Sequence, residues 1–250
     1  MLLLALDTSG AAVTAAVHDG AAVLARHSEF DTRRHAELTA PVVRRALADA
    51  GADRRDLTAI AVGVGPGPFT GLRVGVVTAL VLGSALGVPV YGVCSLDALA
   101  AATGEAPAEP RHLVVATDAR RREVYWARYR FAPDLPGGPG VPERLDGPHV
   151  GPAAGVRVEG AVVTGRGCLL YPEALGESAG PLDVDAGYLA ELAAGALSPG
   201  ALSPGALVPG ALVPDALDPG AAARVLLPPE PLYLRRPDAQ APGARKRVLR

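Results

Sequence analysis

The sequence predicts an α/β protein in which an antiparallel hairpin sheet is extended by parallel strands and layered with crossover helices. Three observations predict it. Short apolar runs alternate with helical spacing in the order βββ-α-β-α-β-α up to about residue 103. A strong turn signal, Asp19-Gly20, joins the second and third runs. Apolar residues make up 49% of the 250 and charged residues 20%, so there is material for a packed core.

Taken in order, residues 2–7 (LLLALD) are an apolar run closed by a carboxylate, which reads as a buried strand ending at a turn or a site. Residues 12–18 and 21–29 read as two further strands around a two-residue turn. Helical spacing follows over 35–50, with Ala36, Ala40, Val43, Leu47 and Ala50 on one face and Gly51 at the C-terminal cap. Pro41 removes one backbone bond there, which predicts a kink or a late start. Residues 57–64 are a fourth strand, running into Gly65-Pro66-Gly67-Pro68-Phe69-Thr70-Gly71 and a helix to about Leu86. Residues 88–93 are a fifth strand and 95–103 a short helix.

Pro107 and Pro110 mark a boundary at 104–111, beyond which 112–118 and 123–131 pair through the charged turn Ala119–Arg122. Residues 132–160 are rich in Pro and Gly and specify little, 161–164 reads as a strand, and 185–194 as a helix. A repeat of period five (GALSP, GALSP, GALVP, GALVP, DALDP) occupies 195–219, where proline in every unit forbids a continuous helix or central strand. Leu232–Arg235 resumes strand-like order, and Arg235–Arg250 holds six basic residues against Asp238. The expected organisation is a first lobe at 1–104, a second at 105–235 carrying the 195–219 insert, and a basic tail at 236–250.

Composition narrows the function. A formal charge of −2 argues against holding nucleic acid through bulk positive charge, and 4% aromatic residues give little material for a base-stacking surface. Cys94 and Cys168 make no disulfide framework and match no zinc spacing. The five histidines, His18, His27, His35, His112 and His149, contain no i, i+4 pair, so no metal site is expected. There is no leader-like basic start and no uncharged apolar stretch flanked like a membrane span, which predicts a cytoplasmic chain with no membrane contact.

Two segments carry possible chemistry. Asp7-Thr8-Ser9 ends the first strand; it reads either as a metal- or phosphate-positioning carboxylate or as a local turn that satisfies the backbone. Gly65–Gly71 feeds a helix N-terminus, a general anion site, yet no lysine follows it and it is not a Walker A loop. In its helix, Gly71, Gly75, Ala79 and Gly83 fall at i, i+4, i+8 and i+12, a stripe nearly free of side chains. That stripe suits either close packing on the chain's own sheet or close approach of a helix from another chain. Asp118 ends a second-lobe strand and is placed to face Asp7 across a cleft. The Arg120–Arg122 turn reads as a solvated hairpin tip or a phosphate clamp, and the tail as a frayed end or a phosphate contact.

The chain resembles the TsaB (YeaZ) family. The matching stretches are LALDTS at 4–9, RRHAELTAPVV at 33–43, AVGVGPGPFTGLRVGV at 61–76, GVPVYGVCSLDAL at 87–99, TDARRREVYWARY at 117–129 and EPLYLR at 230–235. The likeness is strong over 1–131 and loose over 132–229, and the pentapeptide repeat departs from it. The resemblance implies an actin/Hsp70/sugar-kinase fold, with two lobes around a nucleotide cleft. It implies a non-catalytic subunit that holds and activates a TsaD-type transferase forming N6-threonylcarbamoyladenosine (t6A) at position 37 of tRNAs reading ANN codons. Ser95 and Leu99 stand where TsaD carries two metal-binding histidines. Family members pair through the two helices of the first lobe, which puts His35, Leu38, Val42, Thr70, Gly71, Arg73, Gly75 and Ala79 at or near the partner surface. Asp7, Thr8, Ser9 and Asp118 would form a vestigial nucleotide cleft. The implied partners are TsaD, a TsaE-type ATPase, a second copy of the chain when it is alone, and tRNA through the complex. No cofactor of its own is implied, with ATP or ADP at the complex interface. The alternatives are an ATPase or kinase of the same fold, using Asp7 to position a metal and Asp118 as base, and a metallopeptidase.

Overall fold

A computed structural model describes residues 1–104, 111–132, 141–198 and 225–235. Strands β1 (Leu3–Asp7), β2 (Ala12–His18) and β3 (Val23–Phe30) form a meander. Helix α1 (His35–Asp49) leads to β4 (Ala59–Gly63), α2 (Phe69–Leu86), β5 (Val90–Val93) and α3 (Ser95–Ala101). Strands β6 (Arg111–Asp118), β7 (Glu123–Phe131), β8 (Glu143–Pro152) and β9 (Ala161–Thr164) follow, then α4 (Gly167–Leu170), α5 (Pro172–Leu175), α6 (Ala186–Leu197) and β10 (Leu226–Leu227).

The first sheet has the order β10-β5-β4-β1-β2-β3, with β1, β4 and β5 parallel and β2 antiparallel to β1 and β3. Period-two alternation sorts its side chains. Leu4, Leu6, Val13, Ile60 and Val62 face α1 and α2, while Leu3, Ala5, Ala16, Ala59 and Ala61 face a core shared with α3 and α6. The second sheet, β8-β7-β6-β9, adds Leu113, Val115, Ala127, Tyr129 and Phe131 to that shared core. Each fully buried Leu, Ile or Phe contributes about 1.5–3 kcal/mol, so the layer between the sheets is a main source of stability. This is an α/β arrangement of two mixed sheets flanked by helices, as the element order predicts.

Several expectations are corrected. The turn at Asp19-Gly20 spans four residues, 19–22: the Asp19 carboxylate accepts from the Ala21 and Ala22 N–H groups, and strand pairing resumes at Val23. In α1 the buried face is His35, Thr39, Val42, Val43, Ala46 and Leu47, with Ala36 and Ala40 exposed. The polar pair turns inward because each finds a partner, His35 Nε2 at the Gly10 carbonyl (3.1 Å) and Thr39 Oγ1 at the His35 carbonyl (2.7 Å). The helix runs through Pro41, and Gly51 takes the positive φ of +64° that the cap demands. The loop-rich stretch 132–160 contains β8, and Leu232–Arg235 is not a strand.

The lobe boundary also shifts. Helix α6 packs on β1, β2 and β3, and β10 adds to the edge of β5, so the chain returns from the second lobe to complete the first. Gly195–Leu197 of the repeat ends α6 and Ser198 follows as its C-cap; the repeat from 199 on, and the tail beyond Arg235, lie outside the described residues. Among the described residues α2 alone is long and apolar enough to cross a membrane; its small-residue face instead lies on the first sheet.

Candidate functional site

Asp7, Thr8 and Ser9 end β1 and are all buried. The Asp7 Oδ1 accepts from the Ser9 N–H and Oγ (both 2.7 Å), and Oδ2 accepts from Ser95 Oγ at 2.5 Å. Ser95 opens α3, and its hydroxyl also accepts the Gly65 N–H (3.1 Å). Gly63 is obligatory here, because a Cβ would collide with the Asp7 carboxylate. Burial pushes the Asp7 carboxyl above its usual range, against the opposing pull of the Ser95 and Ser9 hydrogen bonds. These bonds satisfy the polar groups of Asp7 and Ser9 locally.

Thr8 explains the glycine stripe. Its hydroxyl donates to the Gly71 carbonyl (2.7 Å) and accepts the Gly75 N–H (3.0 Å), sitting astride two groups that an uninterrupted helix joins directly. A Cβ on Gly71 would stand 2.5 Å from the Thr8 carbonyl oxygen, and one on Gly75 would press on the Thr8 hydroxyl. Further along, Gly83 makes room for Val90. The expectation that Gly71, Gly75 and Ala79 lie on a partner surface is therefore corrected. All three are buried, and the stripe is a socket for the chain's own first strand. His35 and Val42 are buried too, Leu38 is half-buried, and only Thr70 and Arg73 of that set are exposed.

The outer face of α2 is different in kind. Phe69, Val77 and Val81 are 37%, 52% and 63% exposed, with half-buried Val74 between them. Their spacing puts an apolar ridge on the side opposite the glycines, next to Thr70 and Arg73. At its N-terminal end Phe69 stacks on Tyr233 (5.0 Å), and Arg73 lies over the Phe69 ring (5.2 Å). Apolar periodicity alone hid this ridge, because α2 is apolar on nearly every face.

Between the lobes lies a cleft of about 500 Å³. Thr8, Ser9, Arg33, His35 and Thr70 line one side, and Thr117, Asp118, Arg120, Arg166 and Asp183 the other. Asp118 is there as expected, but Asp7 is sealed beneath Ser9, so the two carboxylates do not face each other across it. Asp118 accepts the Arg120 N–H (2.7 Å) and pairs with its guanidinium (3.4 Å), while Asp183 holds Arg166 through two bonds of 2.6 and 2.7 Å. Asp7 thus accepts three hydrogen bonds, and both cleft aspartates are engaged by arginine. Ser95 is committed to Asp7, and Leu99 is wholly buried in the shared core.

A second buried polar group joins the lobes. Asp97 of α3 accepts from Tyr129 Oη of β7 (2.8 Å) and from Arg144 Nη1 of β8 (3.0 Å). Burial raises the Asp97 carboxyl, with Arg144 opposing, and raises the Cys94 thiol to about 12. The pairing is invisible in sequence because its members are 32 and 47 residues apart.

Comparison with known proteins fits this frame. A family model described as "TsaD: tRNA N6-adenosine threonylcarbamoyltransferase" matches residues 27–134. The YeaZ structure from Pseudomonas aeruginosa is 34% identical, covers 78% of this chain and 91% of its own, and superposes with a TM-score of 0.65. The chain belongs to the TsaB/YeaZ family. An uncharacterised protein of Mycobacterium tuberculosis shares 53% identity over 131 residues, 51% of this chain and 58% of that protein. The Escherichia coli tRNA threonylcarbamoyladenosine biosynthesis protein TsaB shares 36% over 130 residues, 52% of this chain and 55% of that protein. The chain thus spans little more than half the length of the curated TsaB/YeaZ relatives it matches.

Proposed function

We propose that this chain is a non-catalytic subunit that docks on a TsaD-type transferase and sustains t6A formation at position 37 of tRNAs reading ANN codons, in the cytoplasm. The observation that carries the reading is the apolar ridge on α2 of exposed Val77 and Val81 with half-buried Val74, bordered by Thr70 and Arg73, in a TsaB/YeaZ-family chain. A solvent-facing ridge of that kind marks a contact surface. A sister fold would lay its own helix pair against α1 and α2, completing a four-helix layer and favouring the partner's active state. A second copy of the chain would occupy the same ridge when the partner is absent. A TsaE-type ATPase joins the complex, and any ATP or ADP binds at the interface with the partner rather than on Asp7. The sealed Asp7 and the arginine-bound Asp118 and Asp183 support the accessory role over the ATPase or kinase alternative.

The test is reconstitution. The TsaD-type protein of the same organism, supplied with the threonylcarbamoyl donor and unmodified tRNA, should form t6A efficiently only when this chain is added. Equal t6A formation without it, or modification by this chain alone, would contradict the proposal.

A further inference from the structure

On the outer face of the second sheet, β7 turns Tyr125, Ala127, Tyr129 and Phe131 inward and leaves Trp126, Arg128 and Arg130 half-buried on the opposite side. Trp126 is the only tryptophan in the chain. It lines a groove of about 470 Å³ with Arg128, Asp146, Gly155 and Arg157, a size suited to a small planar ligand. Both recognition elements are held in place. His149, on the neighbouring strand, packs against the indole at 4.7 Å, with its Nε2 on the Asp146 carboxylate at 2.7 Å. Arg128 Nη1 donates to the Arg157 carbonyl at 2.8 Å. Two guanidiniums thus share the groove with the indole, against one carboxylate, Asp146, which bonds His149 and lies opposite Arg128 across the strand pair.

We infer that this groove takes an unstacked base of single-stranded RNA, stacked on Trp126 with backbone phosphate on Arg128 and Arg157. An aromatic plane beside guanidiniums is the chemistry that reads base and phosphate together. A lone phosphate or an acidic side chain would use the guanidiniums but not the indole, which packs on His149 and on the cluster of Val114, Ala116 and Val124. A polyanion fits better than a free nucleotide because the cations continue past the groove. Arg122 ends the exposed turn of three arginines that opens β7. Low overall aromatic content and a net charge of −2 do not weigh against a single local platform of this kind. The inference deepens the proposed function by placing RNA on this subunit, and it is tested without the transferase.

Trp126 is its own probe. The full chain is titrated with an unmodified anticodon stem-loop RNA, with inorganic polyphosphate and with anionic phospholipid vesicles, following tryptophan fluorescence and, for the variants, labelled-RNA binding. Saturable quenching by the RNA is expected. Arg128→Gln and Arg157→Gln should each weaken binding and lower the salt slope by about one. Trp126→Ala should weaken it about five- to a hundredfold, with Trp126→Phe retaining most of the affinity. Unchanged fluorescence with RNA, an equal response to polyphosphate, a response to vesicles alone, or full binding by folded Arg128→Gln/Arg157→Gln would each overturn the assignment. RNA binding that persists when t6A formation does not depend on this chain would overturn the proposed function and leave the groove standing.

Discussion

Replacing Gly71 or Gly75 by alanine should destabilise the isolated chain, although alanine is the better helix former. A new Cβ at Gly71 meets the Thr8 carbonyl oxygen, a backbone atom that cannot rotate away, and one at Gly75 displaces the Thr8 hydroxyl. Overpacking of a tight core costs about 1–3 kcal/mol. Disturbing the Thr8 bonds to the Gly71 carbonyl and Gly75 N–H strands buried polar groups at about 1–3 kcal/mol more. Helix propensity returns about 1 kcal/mol. The net loss is about 1–5 kcal/mol, a large share of the roughly 5–15 kcal/mol that holds a domain folded. In urea, Cm should fall at unchanged m, and Tm should drop by about 5–15 °C. Gly87→Ala is the control: its φ of +69° gives strain, but no atom lies within 4 Å of the new Cβ, so the loss should be nearer 1 kcal/mol. Parental stability in both Gly71→Ala and Gly75→Ala would refute the socket and return the stripe to a partner surface.

Other perturbations test the buried polar groups. Arg144→Met should cost about 3–5 kcal/mol in denaturant, since it leaves the Asp97 carboxylate buried without its cation, while the Asp97→Asn/Arg144→Met double variant should recover part of that. Asp7 has a folded pKa above its unfolded one, so its contribution is fully present below the ordinary carboxylate pKa of 3.8 and fades as pH rises through the folded value. Unfolding measured from pH 4 to 8 should therefore show the parent losing stability relative to Asp7→Asn as pH rises, and a flat difference would contradict the raised pKa. Cys94, with its thiol at about 12 and no exposure, should react with a thiol reagent only on unfolding, which a kinetic thiol assay at neutral pH reads directly.

Much of the first lobe was legible because its strands and helices carry clear periods and its turns carry glycine where positive φ is needed, as at Gly51. What the glycine stripe packs against was not legible. Its partner is Thr8, more than sixty residues away, and small residues look the same whether they meet a strand or a second chain. The Asp7–Ser95 bond spans 88 residues and gives no local sign. Strand β8 was hidden by its two glycines and two prolines, which pairing with β7 tolerates at an edge position. The return of α6 and β10 to the first sheet was hidden because an apolar helix does not declare which sheet it covers. The outward face of α2 could have been found by asking which residues remain once the glycines are assigned inward, and the answer is Val74, Val77 and Val81.

That ridge is the most direct place to test the account. Val77→Asp/Val81→Asp substitutes exposed positions, so the monomer should keep its fold and Tm to within a few degrees. Sedimentation of the variant mixed with the TsaD-type protein should show two separate species where the parent gives one complex. A heterodimer of undiminished affinity, formed by a folded double variant, would contradict docking through α2.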